Sequence, residues 1–179
     1  MLGFRDEVGS LVNESMSYIR SDHAVLGLEY LPSNSLKFSV ESFYKRYDNY
    51  PVSTTDSVSL ANLGGGFEVL GNDRVESIGK GRTYGVEFLA QQKFSNNFYA
   101  ILAYTFFKSE FTAYDPDEYL PSFWDSRHLL TFTGGYKFPS NWELSGRMRF
   151  IGQTPFAPLD IEATTPVYPI LVNDFSRLG

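Results

Sequence analysis

Trp142-Glu143-Leu144-Ser145-Gly146-Arg147-Met148-Arg149-Phe150-Ile151-Gly152-Gln153 alternates in chemistry residue by residue. Trp142, Leu144, Met148 and Phe150 fall on one side of an extended chain. Glu143, Ser145, Arg147, Arg149 and Gln153 fall on the other. Successive side chains of a strand point to opposite faces, so a period of two predicts a strand over 142–153. Two arginines and a glutamate on one face need water there. Twelve residues also exceed the five or six usual for a strand in a soluble sheet. That length suits a tilted crossing of a membrane, which takes about 9–11 residues.

The same pattern recurs upstream. Over 22–31, Ala24, Leu26, Leu28 and Tyr30 oppose Val25, Gly27 and Glu29. Over 36–47, Leu36, Phe38, Val40 and Tyr44 oppose Lys37, Ser39, Glu41 and Lys45, with Ser42 interrupting the apolar stripe. Over 82–92, Tyr84, Val86, Phe88 and Ala90 oppose Thr83, Gly85, Glu87 and Gln91, with Leu89 out of pattern. Over 98–108, Ala100, Leu102, Tyr104 and Phe106 share a face, and Ile101 and Phe107 break the parity. Over 128–138, Leu130, Phe132, Tyr136 and Phe138 oppose Thr131, Thr133 and Lys137.

The connections alternate in length. Pro32-Ser33-Asn34-Ser35, Phe94-Ser95-Asn96-Asn97 and Pro139-Ser140-Asn141 read as tight turns. Asp48 to Lys80 reads as one long loop, and Ser109 to Arg127 as another. Every short turn therefore lies at one end of the hairpins and every long loop at the other. A structureless stretch of about 30 residues is foreign to a compact soluble domain. Short turns on one rim and long loops on the other are the habit of outer-membrane barrels. Aromatic residues gather beside the short turns (Tyr30, Phe94, Phe98, Tyr136, Phe138, Trp142). A second set lies near the long loops (Tyr44, Tyr47, Tyr50, Tyr84, Phe106). Two interfacial girdles would have this form.

Composition agrees. Aromatic residues make up 17% of the 179-residue chain, yet the mean hydropathy is only −0.22. Apolar residues diluted by polar ones at every second place give that combination. No stretch reaches the roughly 18 apolar residues of a membrane helix, which excludes helical spans only. The net charge of −6 without a basic stripe argues against nucleic acid as a partner. The chain has no cysteine, so neither disulfides nor cysteine metal sites arise. The expected fold class is all-β: an antiparallel meander of about six long strands, a partial segment of a transmembrane β-barrel. Six strands are too few to close a roomy barrel, since known ones start at eight.

Several stretches resemble the C-terminal part of the barrel of a TonB-dependent outer-membrane receptor. They are Ser21-Asp22-His23-Ala24-Val25-Leu26-Gly27-Leu28-Glu29-Tyr30, the run from Glu41 through Tyr47 to Val52, and Gly81-Arg82-Thr83-Tyr84-Gly85-Val86-Glu87. Ala103-Tyr104-Thr105-Phe106, Pro121-Ser122-Phe123-Trp124-Asp125-Ser126-Arg127-His128 and Gly152-Gln153-Thr154-Pro155-Phe156-Ala157-Pro158 complete the set. Their order and spacing carry the likeness from about Ser21 onward. The resemblance implies a 22-stranded barrel filled by an N-terminal plug. It implies import of a scarce nutrient, such as a ferric siderophore, cobalamin or a glycan, with energy relayed by TonB. The implied partners are the remaining strands, the plug, TonB, the nutrient and membrane lipid. No plug is recognised in the sequence. Met1 to Glu7 has no signal-peptide pattern, and Asn173 to Gly179 has no closing element. The expectation is a piece of a larger receptor. Another outer-membrane barrel, porin or adhesin-like, is the alternative. A soluble lipocalin-like binding barrel is a third class.

Glu41, Glu87, Glu143, Arg147 and Arg149 are the candidate lumen- or plug-facing residues. Other polar groups suggest sharper chemistry and do not sustain it. Asp125, Ser126 and His128 have the residue types of a hydrolase triad, but near neighbours on a strand cannot all converge. Asp115, Asp117 and Glu118 lack the spacing and glycine of a calcium loop. His23 and His128 alone make no histidine metal cluster. Gly64-Gly65-Gly66 and Gly79-Lys80-Gly81 lack the strand-to-helix context of a phosphate loop. Tyr114, Tyr119, Phe123 and Trp124 read as loop packing before ligand contact. No catalytic group, cofactor or resident metal is expected.

Overall fold

A computed structural model describes residues 9, 11–63, 73–158, 174 and 178. The Gly64-Gly65-Gly66 run and Met1 to Glu7 lie outside the described residues, as do five of the seven residues from Asn173 to Gly179. Seven strands form one antiparallel sheet: β1 (Arg20–Ser33), β2 (Leu36–Ser53), β3 (Val75–Ser95), β4 (Phe98–Phe111), β5 (Leu120–Pro121), β6 (His128–Lys137) and β7 (Glu143–Ile151). The spatial order is β1-β2-β3-β4-β6-β7, with the two-residue β5 paired to the end of β4. Six long strands thus follow one another as a meander. Among the described residues one short helix, α1 (Leu60–Leu63), lies between β2 and β3.

The register explains why the alternation matters. Partners directly opposite on neighbouring strands share a face. Leu28, Val40, Phe88, Tyr104, Leu130 and Phe150 form one row across all six long strands. Tyr30, Phe38, Ala90, Leu102, Phe132 and Met148 form the next. Every apolar stripe read from the sequence therefore falls on the same side of the sheet. The other side carries rows such as Glu29, Ser39, Leu89, Ala103, Thr131 and Arg149. The parity breaks also find a reason. Phe107 lies on the polar side opposite Gly85, whose missing side chain leaves room for it.

The apolar side is uncovered. Leu26, Leu28, Tyr30, Leu144, Met148 and Phe150 are 54 to 77% exposed. The buried apolar residues, Val52, Val58, Ala61, Val75 and Phe111, gather instead near the long connections. Among the described residues no second layer hides the greasy face, and a face so exposed suits an apolar solvent.

Two sequence expectations about extent are corrected. The segment Asp48 to Lys80 is not loop throughout: β2 continues to Ser53 and β3 already begins at Val75. Asn49 adopts a φ of 60°, and the register shifts between Tyr47 and Tyr50 and again before Pro51. These bulges slip the parity while the strand goes on, so alternation vanishes from the sequence. Pro51 is tolerated because the β1 ladder ends at Asp48, and Ser59 bridges that side of β2 only from Val52 onward. Likewise β4 extends to Phe111 into the segment read as loop from Ser109.

The aromatic sets differ in outcome. All six residues beside the short turns are exposed, and Trp142 is 75% so. Near the long connections, Tyr44, Tyr84 and Phe106 share the apolar side. Tyr47 lies on the opposite side, partnered with Gly81 and Ser21. Its ring and that of Tyr50 pack on Phe111, with centroids 5.5 and 4.5 Å away. The second girdle therefore has three members, not five.

The two long connections are tied together. Asn62 Nδ2 donates to the Leu120 and Pro121 carbonyls at 3.1 and 2.8 Å. The Phe123 amide donates to the Ala61 carbonyl at 2.9 Å. Trp124 Nε1 reaches Ser109 Oγ at 3.1 Å, and that hydroxyl also meets Thr83 Oγ1 at 2.9 Å.

Candidate functional site

The polar side of the sheet carries all five candidate residues but does not gather them. Glu41 on β2 and Glu87 on β3 are direct cross-strand partners. Gly27 flanks Glu41 on β1, and Thr105 flanks Glu87 on β4. A Cβ on Gly27 would sit 3.4 Å from Glu41 Oε2, so the glycine opens the space that this carboxylate uses. Both glutamates are exposed. Neither has an ion-pair partner among the described residues.

Two carboxylates held opposite each other repel. At about 4 Å the repulsion is about 1 kcal/mol in bulk water and about 4 kcal/mol in a protein-like medium. Enclosure makes the pair costlier, and a cation placed between the two carboxylates reverses the sign.

Arg147 and Arg149 stand on β7 opposite Thr133 and Thr131. They are exposed and have no carboxylate partner among the described residues. Three strand spacings separate β7 from β3, roughly 14 Å. The arginines and the glutamate pair are therefore separate stations on one surface. Glu143 makes a third. It faces Lys137 across the β6–β7 ladder and accepts a hydrogen bond from the Tyr99 hydroxyl at 3.0 Å. Tyr99 in turn lies over Gly135, where a Cβ would come within 2.5 Å of its ring.

Other contacts and burials escaped the sequence reading. Glu29 and Lys37 form an ion pair at the β1–β2 turn end of the same side. Opposite charges flanking a tight turn were the available signal. Asp125 is buried, at 1% exposure, beneath the tied connections. Burial pushes its carboxyl above the ordinary carboxylate range, against the pull of Arg127, whose Nε lies 3.5 Å from Oδ2. No periodicity could report that burial.

The remaining sequence candidates separate. His128 Nδ1 meets the Tyr104 hydroxyl at 2.8 Å, on the apolar side with Phe106. Asp115 accepts the Asp117 amide at 2.9 Å, a local turn. Tyr119 lies under the Arg82 guanidinium at 4.0 Å, and Trp124 packs on Phe111 at 5.8 Å.

A family model described as TonB dependent receptor-like, beta-barrel matches residues 13–177. No curated protein matches the chain.

Proposed function

The chain belongs to the TonB-dependent receptor β-barrel family, and from that premise we propose that it forms part of the wall of an outer-membrane importer for a scarce nutrient. The nutrient would be a ferric siderophore, cobalamin or a glycan, and TonB would relay the energy. The family is one of transporters rather than enzymes, and its barrels sit in the outer membrane. The observation that carries the reading is the pair of unbroken apolar rows across six strands, with charge on the reverse side. That pattern fits lipid outside and water or plug inside. β1 and β7 each pair on one side alone among the described residues. Further strands would complete the barrel, because backbone left unpaired in lipid costs several kcal/mol per group.

Glu41 and Glu87 take a role in this reading. They face the lumen and hold a cationic group of the plug, which removes their mutual repulsion. Arg147 and Arg149 present the opposite charge to acidic groups of the plug or the passing ligand. The Glu41→Gln, Glu87→Gln double variant should keep its place in the outer membrane but loosen the plug. In planar bilayers its conductance should rise well above that of the parent. Unchanged conductance would remove the plug-seating role. Recovery of the parent protein in the soluble fraction, or TonB-independent uptake of the nutrients named, would remove the importer reading itself.

A further inference from the structure

At the long-connection end, the apolar side of the sheet turns into a row of charge. Asp22, Arg46, Arg82 and Glu110 are successive partners across β1, β2, β3 and β4. The preceding row is Ala24, Tyr44, Tyr84 and Lys108. Arg46 and Arg82 thus stand side by side, two like charges in register. Above them the β4–β6 connection folds over to leave a depression of about 330 Å³, lined by Tyr44, Arg46, Lys80, Arg82, Asp117 and Tyr119 among others. Its lining holds three cations and one carboxylate, and Asp48 and Glu110 pair with the two arginines from beside it.

The cations are not equally engaged. Glu110, only 2% exposed, binds both Arg82 and Lys108 and so holds two positive charges with one negative. Tyr119 supports the Arg82 guanidinium from below. Arg46 touches Asp48 at 3.2 Å, but that exposed pair is weak and exchangeable. Lys80 is exposed and has no ion-pair partner among the described residues. Guanidinium and ammonium groups beside two tyrosines, at the edge of an apolar band, match a phosphate at a membrane surface.

Resting on the outer-membrane reading above, we propose that this depression seats a phosphate of an anionic lipid headgroup in the outer leaflet. The site is continuous with the lipid-facing rows, so a lipid whose chains lie along Val86 and Phe106 brings its headgroup to this level. Free anions would gain no such anchorage.

The test uses the full-length protein purified from outer membranes in mild detergent, with bound phosphorylated glycolipid counted by native mass spectrometry. The Arg46→Gln, Lys80→Gln double variant should retain at least fivefold less lipid than the parent. The Lys45→Gln, Arg127→Gln variant, altered on the opposite side and in the connection, should retain as much as the parent. Millimolar inorganic phosphate should leave the lipid in place. Equal retention by the first variant, equal loss by the second, or displacement by inorganic phosphate would each overturn the site. A parent protein absent from the outer-membrane fraction would instead overturn the underlying localisation. A parent that is present there but carries no phosphorylated lipid would overturn the lipid site alone.

Discussion

Asp125 is a carboxyl whose surroundings work against its charge. Burial raises its pKa, and Arg127 only partly offsets that. Between the ordinary carboxylate value and the raised folded one, the unfolded chain has released its proton while the folded chain still holds it. The folded state binds more protons across that window, so its stability falls as the pH rises through it. Asp125→Asn removes this dependence. Its urea midpoint should match the parent near pH 4 and equal or exceed it at pH 7. A loss at pH 7 greater than about 1 kcal/mol, the ordinary net worth of a hydrogen bond, would mean that the ionised carboxylate is a stabilising partner after all. The same residue marks a limit of sequence reading. Asp125 stands between Trp124 and Ser126 with no pattern to announce that Ala61 and Asn62, over sixty positions earlier, close over its segment.

At the scale of elements, the β3–β4 turn is the plainest case of local chemistry setting geometry. Asn96 and Asn97 have φ values of 52° and 64°. Two successive positive φ angles are the mark of the hairpin turn whose twist matches the strands it joins. Asparagine tolerates that region, and a β-branched residue does not. Asn97→Val should cost about 1–2 kcal/mol and lower the refolding yield in detergent, while Asn97→Gly should be neutral. Equal behaviour of the two would refute the turn assignment. The Asn97 carbonyl also accepts the Lys137 amide at 2.8 Å, so a damaged turn would disturb the next hairpin too. Six strands and their faces were readable because a sheet with one apolar and one polar side imposes a strict period of two. The ends of β2 and β3 were not, because the bulges around Asn49 and Tyr50 break that period without ending the ladder. The candidate site was legible to the same degree. Parity put Glu41 and Glu87 on the polar side, but only the register made them neighbours, since nothing in either strand alone encodes its alignment with the other.

For the whole molecule, depth as well as side must decide what a charge costs. Leu102 sits mid-strand between Ala90 and Phe132 in one of the two unbroken apolar rows. Leu144 is on the same side but partners Tyr136, close to the short turns and the exposed Trp142. Thr105 is on the reverse side, between Glu87 and Leu129. An arginine on the lipid face costs about 2–4 kcal/mol at the bilayer midplane and about 0–1 kcal/mol near the interface. Leu102→Arg should therefore cost about 2–4 kcal/mol and Leu144→Arg at most about 1 kcal/mol. Thr105→Arg should be neutral or slightly stabilising, because its charge lands beside the crowded Glu41 and Glu87 carboxylates. Urea unfolding of the complete barrel in lipid vesicles reads all three. Equal costs at Leu102 and Thr105 would mean that the two sides of the sheet meet the same solvent, and a wall between lipid and lumen could not be built from it. A Leu144 cost equal to that of Leu102 would keep the wall but move the short turns deep into the bilayer. Lys37, Lys93 and Lys137, all beside those turns, make such burial far more expensive than a turn held at the surface.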